Sequence, residues 1–296
     1  MNHTVDTAFL DPEVVSQLGR IDLIAKAISD SLDYGVHHSR RRGFSTEFSD
    51  FKPYVPGDDL RLLDWRVYAR TERLFVKRFE AETSVEVRLL LDASASMAWR
   101  WQQKISKLEY GANLLAALAC VHMRQQDTVG LLVHDADDVH HLPPRSRRQH
   151  LDAIFAVLAA LAPGEAEAFP AMIDTLVHER RHTGRIIVCA DLEEDEHHTE
   201  EAIGRLAGLD DETILFHILD HSEVELPFND VTHLQDAETG ELLPVNLPAV
   251  KKAHTEAVHR FRAFWQQRCL DLGITYVPIH TGMNYADVIM RLDELP

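Results

Sequence analysis

A carboxylate and two hydroxyls follow directly after an apolar run in the first third of the chain. The run Val85–Leu91 leads into Asp92-Ala-Ser94-Ala-Ser96. Open α/β sheets bind ligands at the carboxyl ends of their strands, and Asp and Ser oxygens are hard donors of the kind that Mg²⁺ prefers. The segment therefore predicts a magnesium site, or else a turn in which Asp92 and Ser94 only cap the helix that follows.

Two further carboxylates end later apolar runs. Asp191 follows the run Arg185–Ala190, and it approaches the same sheet edge if the two strands are neighbours. Its alternative role is to cap the next helix. Asp220 follows the run Thr213–Leu219, and we expect it to be a peripheral carboxylate.

The elements that must position these side chains alternate regularly from residue 85 onward. Apolar strand-like runs alternate with amphipathic helical stretches, which indicates a mostly parallel sheet with helices on both faces. We therefore predict an α/β fold. The excursion His221–Leu247 contains turn-forming residues and predicts a small surface hairpin.

Three segments differ in composition. Residues 1–35 contain an amphipathic helix, residues 36–84 form an aromatic-rich appendage of loops and β structure, and residues 85–296 form the α/β domain. The aromatic side chains of the appendage are interleaved with Gly and Pro, which favours a compact loop-and-hairpin structure over a second large core.

The charge and the cysteines narrow the function classes. The net charge is −18, which argues against nucleic acid as a partner. The N-terminus lacks a signal-peptide pattern, and no apolar run approaches the roughly 18 residues of a membrane span. The cysteines lie far apart in the sequence, at Cys120, Cys189 and Cys269. We therefore expect reduced thiols and a cytoplasmic protein.

Several motifs resemble a known family, the domain-of-unknown-function 58 family. They are G-V-H-H-S-R-R-R-G-F-S-T-E-F from Gly35, Y-V-P-G-D-D-L-R-L-L-D-W-R from Tyr54, V-K-R-F-E-A-E from Val76 and L-L-L-D-A-S-A-S-M from Leu89. Residues 85–282 also resemble a von Willebrand factor A-like domain. The resemblance implies a partner, a MoxR-type AAA+ ATPase, with which such proteins assemble or mature client proteins.

The same resemblance implies a metal-ion-dependent adhesion site that binds Mg²⁺. Its ligands would be Asp92, Ser94 and Ser96, with Asp191 bound through water. The family's pattern also uses a Thr from a later loop, and here the chain departs from it. The loop Pro163–Phe169 contains no Thr or Ser, and its only carboxylates are Glu165 and Glu167.

The motif Gly57–Arg66 has two interpretations. As a docking surface for the ATPase, it would use Asp58, Asp59, Arg61, Asp64, Trp65 and Arg66. As a structural element, its acids would cap turns and pair with the arginines, while Trp65 would pack on the main domain.

We therefore predict a non-enzymatic interaction module that couples the ATPase to clients. The alternative is a metal-dependent hydrolase at the same sheet edge. A zinc protease is a weaker alternative, because His178-Glu179-Arg-Arg-His182 matches H-E-x-x-H. The two arginines and the Gly that follows indicate instead the cationic end of a helix.

Overall fold

The structure is a computed structural model. It describes residues 12, 20–36, 48–55, 63, 65–71, 73–79, 84–102, 105–136, 138–164, 168–179, 184–193, 195–209, 211–227, 233–235, 242–244 and 247–293. The chain divides into two compact units, one formed by Met1–Gly35 with Val85–Pro296 and the other by Val36–Ser84.

The helices and strands alternate along most of the chain. In chain order they are α1 (Ile21–Val36), β1 (Phe48–Pro53), α2 (Trp65–Thr71), β2 (Phe75–Phe79), β3 (Glu86–Asp92), α3 (Lys107–Arg124), β4 (Thr128–His134), β5 (Val139–Arg145), α4 (Arg148–Ala160), α5 (Ala168–Glu179), β6 (Arg185–Ala190), α6 (Glu196–Ala207), β7 (Glu212–Leu219), α7 (His221–Glu225), β8 (His233–Gln235), β9 (Leu242–Pro244), α8 (Leu247–Asp271), β10 (Thr275–His280) and α9 (Tyr285–Asp293).

A six-stranded sheet forms the centre of the larger unit, in the order β10-β7-β6-β3-β4-β5. All neighbours are parallel except β5, which runs antiparallel to β4 at one edge. The predicted α/β fold with a mostly parallel sheet and helices is confirmed. Because β3 and β6 are direct neighbours, the two predicted ligand segments end at the same edge.

Strand side chains alternate between two core layers, as the pleat requires. Leu91 of β3 and Cys189 of β6 pack on the face that α1, α3, α4 and α9 cover. Leu90 and Val188 pack on the opposite face, under α5, α6 and α8. Helices therefore cover both faces, which explains the near-continuous apolar composition of the central strands.

Two smaller pieces lie outside this sheet. In the unit Val36–Ser84, β1 pairs with β2 in an antiparallel ribbon, and α2 lies between them in the sequence. After α7, β8 pairs with β9 in a short antiparallel hairpin. The hairpin predicted for His221–Leu247 is thus confirmed, although the short helix α7 that precedes it was not predicted.

Candidate functional site

The predicted ligand turn begins where β3 ends. Oδ1 of Asp92 accepts a hydrogen bond from the backbone N–H of Ser94 at 2.9 Å. The hydroxyls of Ser94 and Ser96 lie 3.1 Å apart and hydrogen-bond to each other. The N–H of Gly164 donates to the carbonyl of Ala93, so the loop after α4 also reaches this turn. The structure therefore brings the three predicted donors together, and Ser94 makes no side-chain cap to the following 3₁₀ helix.

Asp191, the fourth predicted ligand, is paired with a buried lysine. Lys107 is the first residue of α3, and its side chain is fully buried. Its Nζ lies 2.8 Å from Oδ2 of Asp191, 3.0 Å from Oε1 of Glu223 and 3.1 Å from Oε2 of Glu193. Glu193 and Glu223 accept hydrogen bonds from this ammonium, whereas Asp191 is its ion-pair partner. The group fastens the start of α3 to the segments that follow β6 and β7.

The charges in this group shift one another's pKa. Burial by itself would lower the pKa of Lys107, but the three carboxylates outweigh it and hold that pKa above its ordinary value. Burial, with repulsion from Asp191 and Glu223, raises the pKa of Glu193 to about 7 against the attraction of Lys107. At this carboxyl edge of the sheet, Lys107 is therefore a permanent cation, and the Glu193 carboxylate takes up a proton near neutral pH.

An unusual backbone conformation between Asp191 and Glu193 lets both carboxylates reach the same ammonium. Leu192 has a φ of 57°, in the left-handed region that non-glycine residues rarely adopt. Oδ1 of Asp191 accepts from the N–H of Glu193 at 3.2 Å, which closes the turn. Strain of this kind persists only where the surroundings enforce it, and it clusters at functional sites.

A buried histidine holds the backbone of Asp191 in place. Nε2 of His217 donates to the carbonyl of Asp191 at 2.9 Å, and Nδ1 accepts from the hydroxyl of Tyr276 at 2.5 Å. Burial lowers the pKa of His217 to about 3. The ring is therefore neutral at physiological pH and serves as a fixed hydrogen-bonding bridge between β6, β7 and β10.

The expectation that Asp220 is peripheral is wrong. Its side chain is buried, and it accepts from the N–H and the hydroxyl of Ser222 at 2.8 and 2.6 Å. It also accepts from the hydroxyl of Thr281 at 2.8 Å. Asp220 caps α7 and ties it to the loop after β10. Because α7 carries Glu223, Asp220 indirectly positions one partner of Lys107.

A groove of about 510 Å³ lies between α8 and the ends of β6 and β7. Acidic and apolar side chains share its wall, among them Glu193, Glu196, Glu223, Leu192, Val258 and Phe261. Two of those acids are also partners of Lys107. The groove and the buried ion group are therefore one continuous site.

The residues do not fit a magnesium cage that includes Asp191. Asp92 is the last residue of β3, whereas Asp191 lies beyond the end of β6, where the left-handed Leu192 turns the backbone. The Asp191 carboxylate already has a cation, Lys107, at 2.8 Å. Within the part of the chain that the structure describes, no group of three His, Cys, Asp or Glu side chains is arranged to hold a metal ion.

The remaining predicted residues are only partly described. Asp58, Asp59, Arg61, Asp64, Glu165, Glu167 and His182 lie outside the described residues. Arg66 is placed by its backbone in α2. The indole of Trp65 is 64% exposed, and Tyr68, also exposed, contacts its edge at a centroid distance of 6.2 Å. The smaller unit thus presents an exposed aromatic pair.

The described half of the H-E-x-x-H match is engaged in other contacts. Nδ1 of His178 lies 2.7 Å from the carbonyl of Asp174, one helical turn before it. The Glu179 carboxylate forms an ion pair with Arg88 at 3.2 Å, and Nε2 of His141 lies 3.0 Å from it. These contacts fasten the end of α5 to β3 and β5, which is a structural role.

Sequence reasoning missed Lys107, although a signal was available. Ser106 and Glu109 have the S-x-x-E spacing of a capping box, and the box forms. It marks Lys107 as the first helical residue, where a cation opposes the helix dipole. A lysine in that place indicates that nearby carboxylates compensate it.

A comparison with known protein families identifies the family of this chain. Residues 50–263 match the family described as "Protein of unknown function DUF58". An uncharacterized protein of Mycobacterium tuberculosis is 26% identical over 285 residues, which cover 95% of this chain and 89% of the relative.

Two solved structures are similar at low identity. An aerotolerance-related membrane protein from Bacteroides fragilis has a TM-score of 0.46 and 19% identity, covering 71% of this chain and 98% of that one. The SpRpn10 VWA domain has a TM-score of 0.42 and 12% identity, covering 71% and 95%.

The cytoplasmic location predicted from the sequence is contradicted. One of these similar structures is described as a membrane protein, and we withdraw that assignment. The three cysteines are buried free thiols, as predicted. Among the described helices, none combines the length and the apolar composition that a bilayer crossing requires.

Proposed function

We propose a function for this chain from the premise that it belongs to the DUF58 family. It is a non-enzymatic interaction module that acts with a MoxR-type AAA+ ATPase in the assembly or maturation of client proteins. The groove beside the buried ion group is the observation that carries the proposal. It binds the client, and the exposed aromatic pair of the smaller unit binds the ATPase.

The chemistry of the groove defines the client segment. Glu193, Glu196 and Glu223 supply negative charge, and Leu192, Val258 and Phe261 supply apolar surface. A volume of about 510 Å³ lies within the usual range for ligand sites. Charge complementarity sets which partners are accepted. The occupant is therefore a client segment that presents Lys or Arg side chains beside apolar ones.

The groove is organised before the client arrives. Lys107 holds Glu193 and Glu223 at 3.1 and 3.0 Å. Side chains that are already ordered lose less conformational entropy on binding. A rigid acidic wall suits recognition of a cationic segment.

The second surface is the aromatic pair Trp65 and Tyr68. Trp residues carry a large share of the binding energy at protein interfaces, and this one is 64% exposed. Trp65 also belongs to the motif Gly57–Arg66, for which a docking surface is one of the two interpretations of the sequence. The two surfaces lie in different units of the chain, so one protein binds the ATPase and the client separately.

Co-purification from the native cell tests the proposal. Tagged full-length protein should recover the MoxR-type ATPase, identified by mass spectrometry, together with a client. Glu196→Lys, in the groove, should lower client recovery at least tenfold. Glu201→Lys is the matched control, since it places the same charge change on an exposed position of α6 that is not among the groove-lining residues.

Two results would contradict the proposal. One is equal client recovery with Glu196→Lys and with Glu201→Lys. The other is a hydrolytic activity of the purified protein that Asp92→Asn abolishes, which would favour an enzyme at the same edge.

A further inference from the structure

The carboxylates at this edge are gathered around a cation that belongs to the chain itself. Lys107 reaches them from α3, and Asp191 and Glu193 come from the segment after β6. Glu223 comes from α7. Lysine is almost never fully buried unless it is paired, and here neither Lys107 nor Asp191 is exposed. Three separate segments therefore meet at one nitrogen atom.

The geometry is that of an ammonium group and its acceptors. The Nζ–O distances of 3.1 Å to Glu193 and 3.0 Å to Glu223 are those of charged hydrogen bonds, and Asp191 is an ion-pair partner at 2.8 Å. Mg²⁺ holds oxygen at about 2.0–2.1 Å and requires six ligands in octahedral geometry. A divalent ion at Asp191 would also lie beside the Lys107 ammonium and be repelled by it. Both oxygens of the Asp191 carboxylate are already engaged, Oδ2 with Lys107 and Oδ1 with the N–H of Glu193.

We propose that Lys107 is the resident cation of this edge. It does for Asp191 what a bound metal ion does in a metal-dependent adhesion site, because it neutralises the carboxylate and fixes the loops around it. The edge is consequently assembled without any divalent ion, and the proposed client groove works in the presence of a chelator. The proposal concerns the edge used in the proposed function, but its test needs no partner.

The first test is a metal titration of the purified full-length chain after EDTA treatment. Mn²⁺ binding, followed by electron paramagnetic resonance, should show no saturable site up to about 1 mM. The thermal unfolding midpoint in Mg²⁺ should agree with that in EDTA to within about 1 °C. Saturable Mn²⁺ binding that Asp191→Asn abolishes would overturn the proposal.

The second test exchanges the internal cation for a metal. Lys107→Met keeps the length of the side chain and leaves three carboxylates without their ammonium. Its unfolding midpoint should fall in EDTA and rise again by several degrees in Mg²⁺ or Mn²⁺. Lys252→Met, at an exposed position of α8, should show neither effect. A Lys107→Met protein as stable as the wild type in EDTA would overturn the proposal.

A folding failure of Lys107→Met in EDTA is the loss of assembly that the proposal expects. The Mn²⁺ titration of the wild-type chain then decides between an internal and an external cation. Neither measurement involves a client or the ATPase. A negative co-purification result therefore contradicts the proposed function and not this inference, and saturable Mn²⁺ binding contradicts this inference and not the proposed function.

Discussion

The ammonium of Lys107 and the carboxylate of Asp191 lie 2.8 Å apart at the carboxyl edge of the sheet, and neither side chain is exposed to solvent. Burying two charges costs free energy, and their attraction repays that cost only when their other hydrogen-bonding groups also find partners. Glu193 and Glu223 each accept a hydrogen bond from the ammonium. Charges within the protein therefore set the shape of the edge on which the proposed function depends.

Asp191→Asn should lower the free energy of unfolding by about 3 kcal/mol, because removing one partner of a buried pair leaves the other charge incompletely compensated. Urea denaturation at pH 7.5 measures this. Asp174→Asn is the control, since Asp174 pairs with Arg205 at 2.7 Å in a half-exposed setting, and it should cost less than about 1 kcal/mol. Equal losses in the two variants would show that Asp191 is not part of a buried network.

His217→Gln should make stability less sensitive to acid. Burial lowers the pKa of His217 to about 3, so between pH 6.5 and 3 the unfolded chain binds a proton that the folded chain does not. The contribution of the neutral imidazole to the free energy of unfolding is therefore present in full above about pH 7, and it is lost as the pH falls. When the pH falls from 7.5 to 5, the free energy of unfolding of the wild type should decrease by about 2 kcal/mol more than that of the variant.

Urea denaturation of both proteins at the two pH values gives this difference. If the free energy of unfolding of the wild type decreases no more than that of the variant, the imidazole is protonated in the folded protein.

Two glycines should respond to alanine in opposite directions. Nothing lies within 4 Å of a Cβ added at Gly204, inside α6, so Gly204→Ala should stabilise the fold by about 0.5–1 kcal/mol. A Cβ at Gly184 would overlap the carbonyl oxygen of Glu86, so Gly184→Ala should destabilise it by about 1–3 kcal/mol. Thermal unfolding of both variants checks the signs, and a stable Gly184→Ala protein would contradict the close packing of β6 against β3.

Trp65→Ala should reduce recovery of the MoxR-type ATPase at least tenfold while changing the free energy of unfolding by less than about 0.5 kcal/mol. The indole is 64% exposed, and exposed positions contribute little to stability, whereas an exposed Trp is a typical interface anchor. Co-purification and urea denaturation are measured on the same preparation. Val55→Ala is the control, because Val55 is also exposed in the same unit. A large loss of stability in Trp65→Ala would assign the indole a packing role instead.

The sequence alone determined the order of most elements from residue 85 onward, although not α7, and the position of the Asp92 turn. Alternating apolar runs and amphipathic stretches are local patterns, since strand and helix periodicities repeat within a few residues. A parallel sheet then follows from the alternation, because parallel strands require crossover connections. That Asp92 ends β3 and Asp191 follows β6 could be read directly from the places where the apolar runs stop.

Only the tertiary structure decided what those carboxylates do. Lys107 is 84 residues from Asp191 and 116 from Glu223 in the sequence. The capping box marks Lys107 as the first helical residue, but it does not show which distant carboxylates surround it. The same holds for Asp220, which looked peripheral and is instead buried against Thr281. An ion pair depends on which segments meet in space, and the packing of α3 on the sheet brings these segments together.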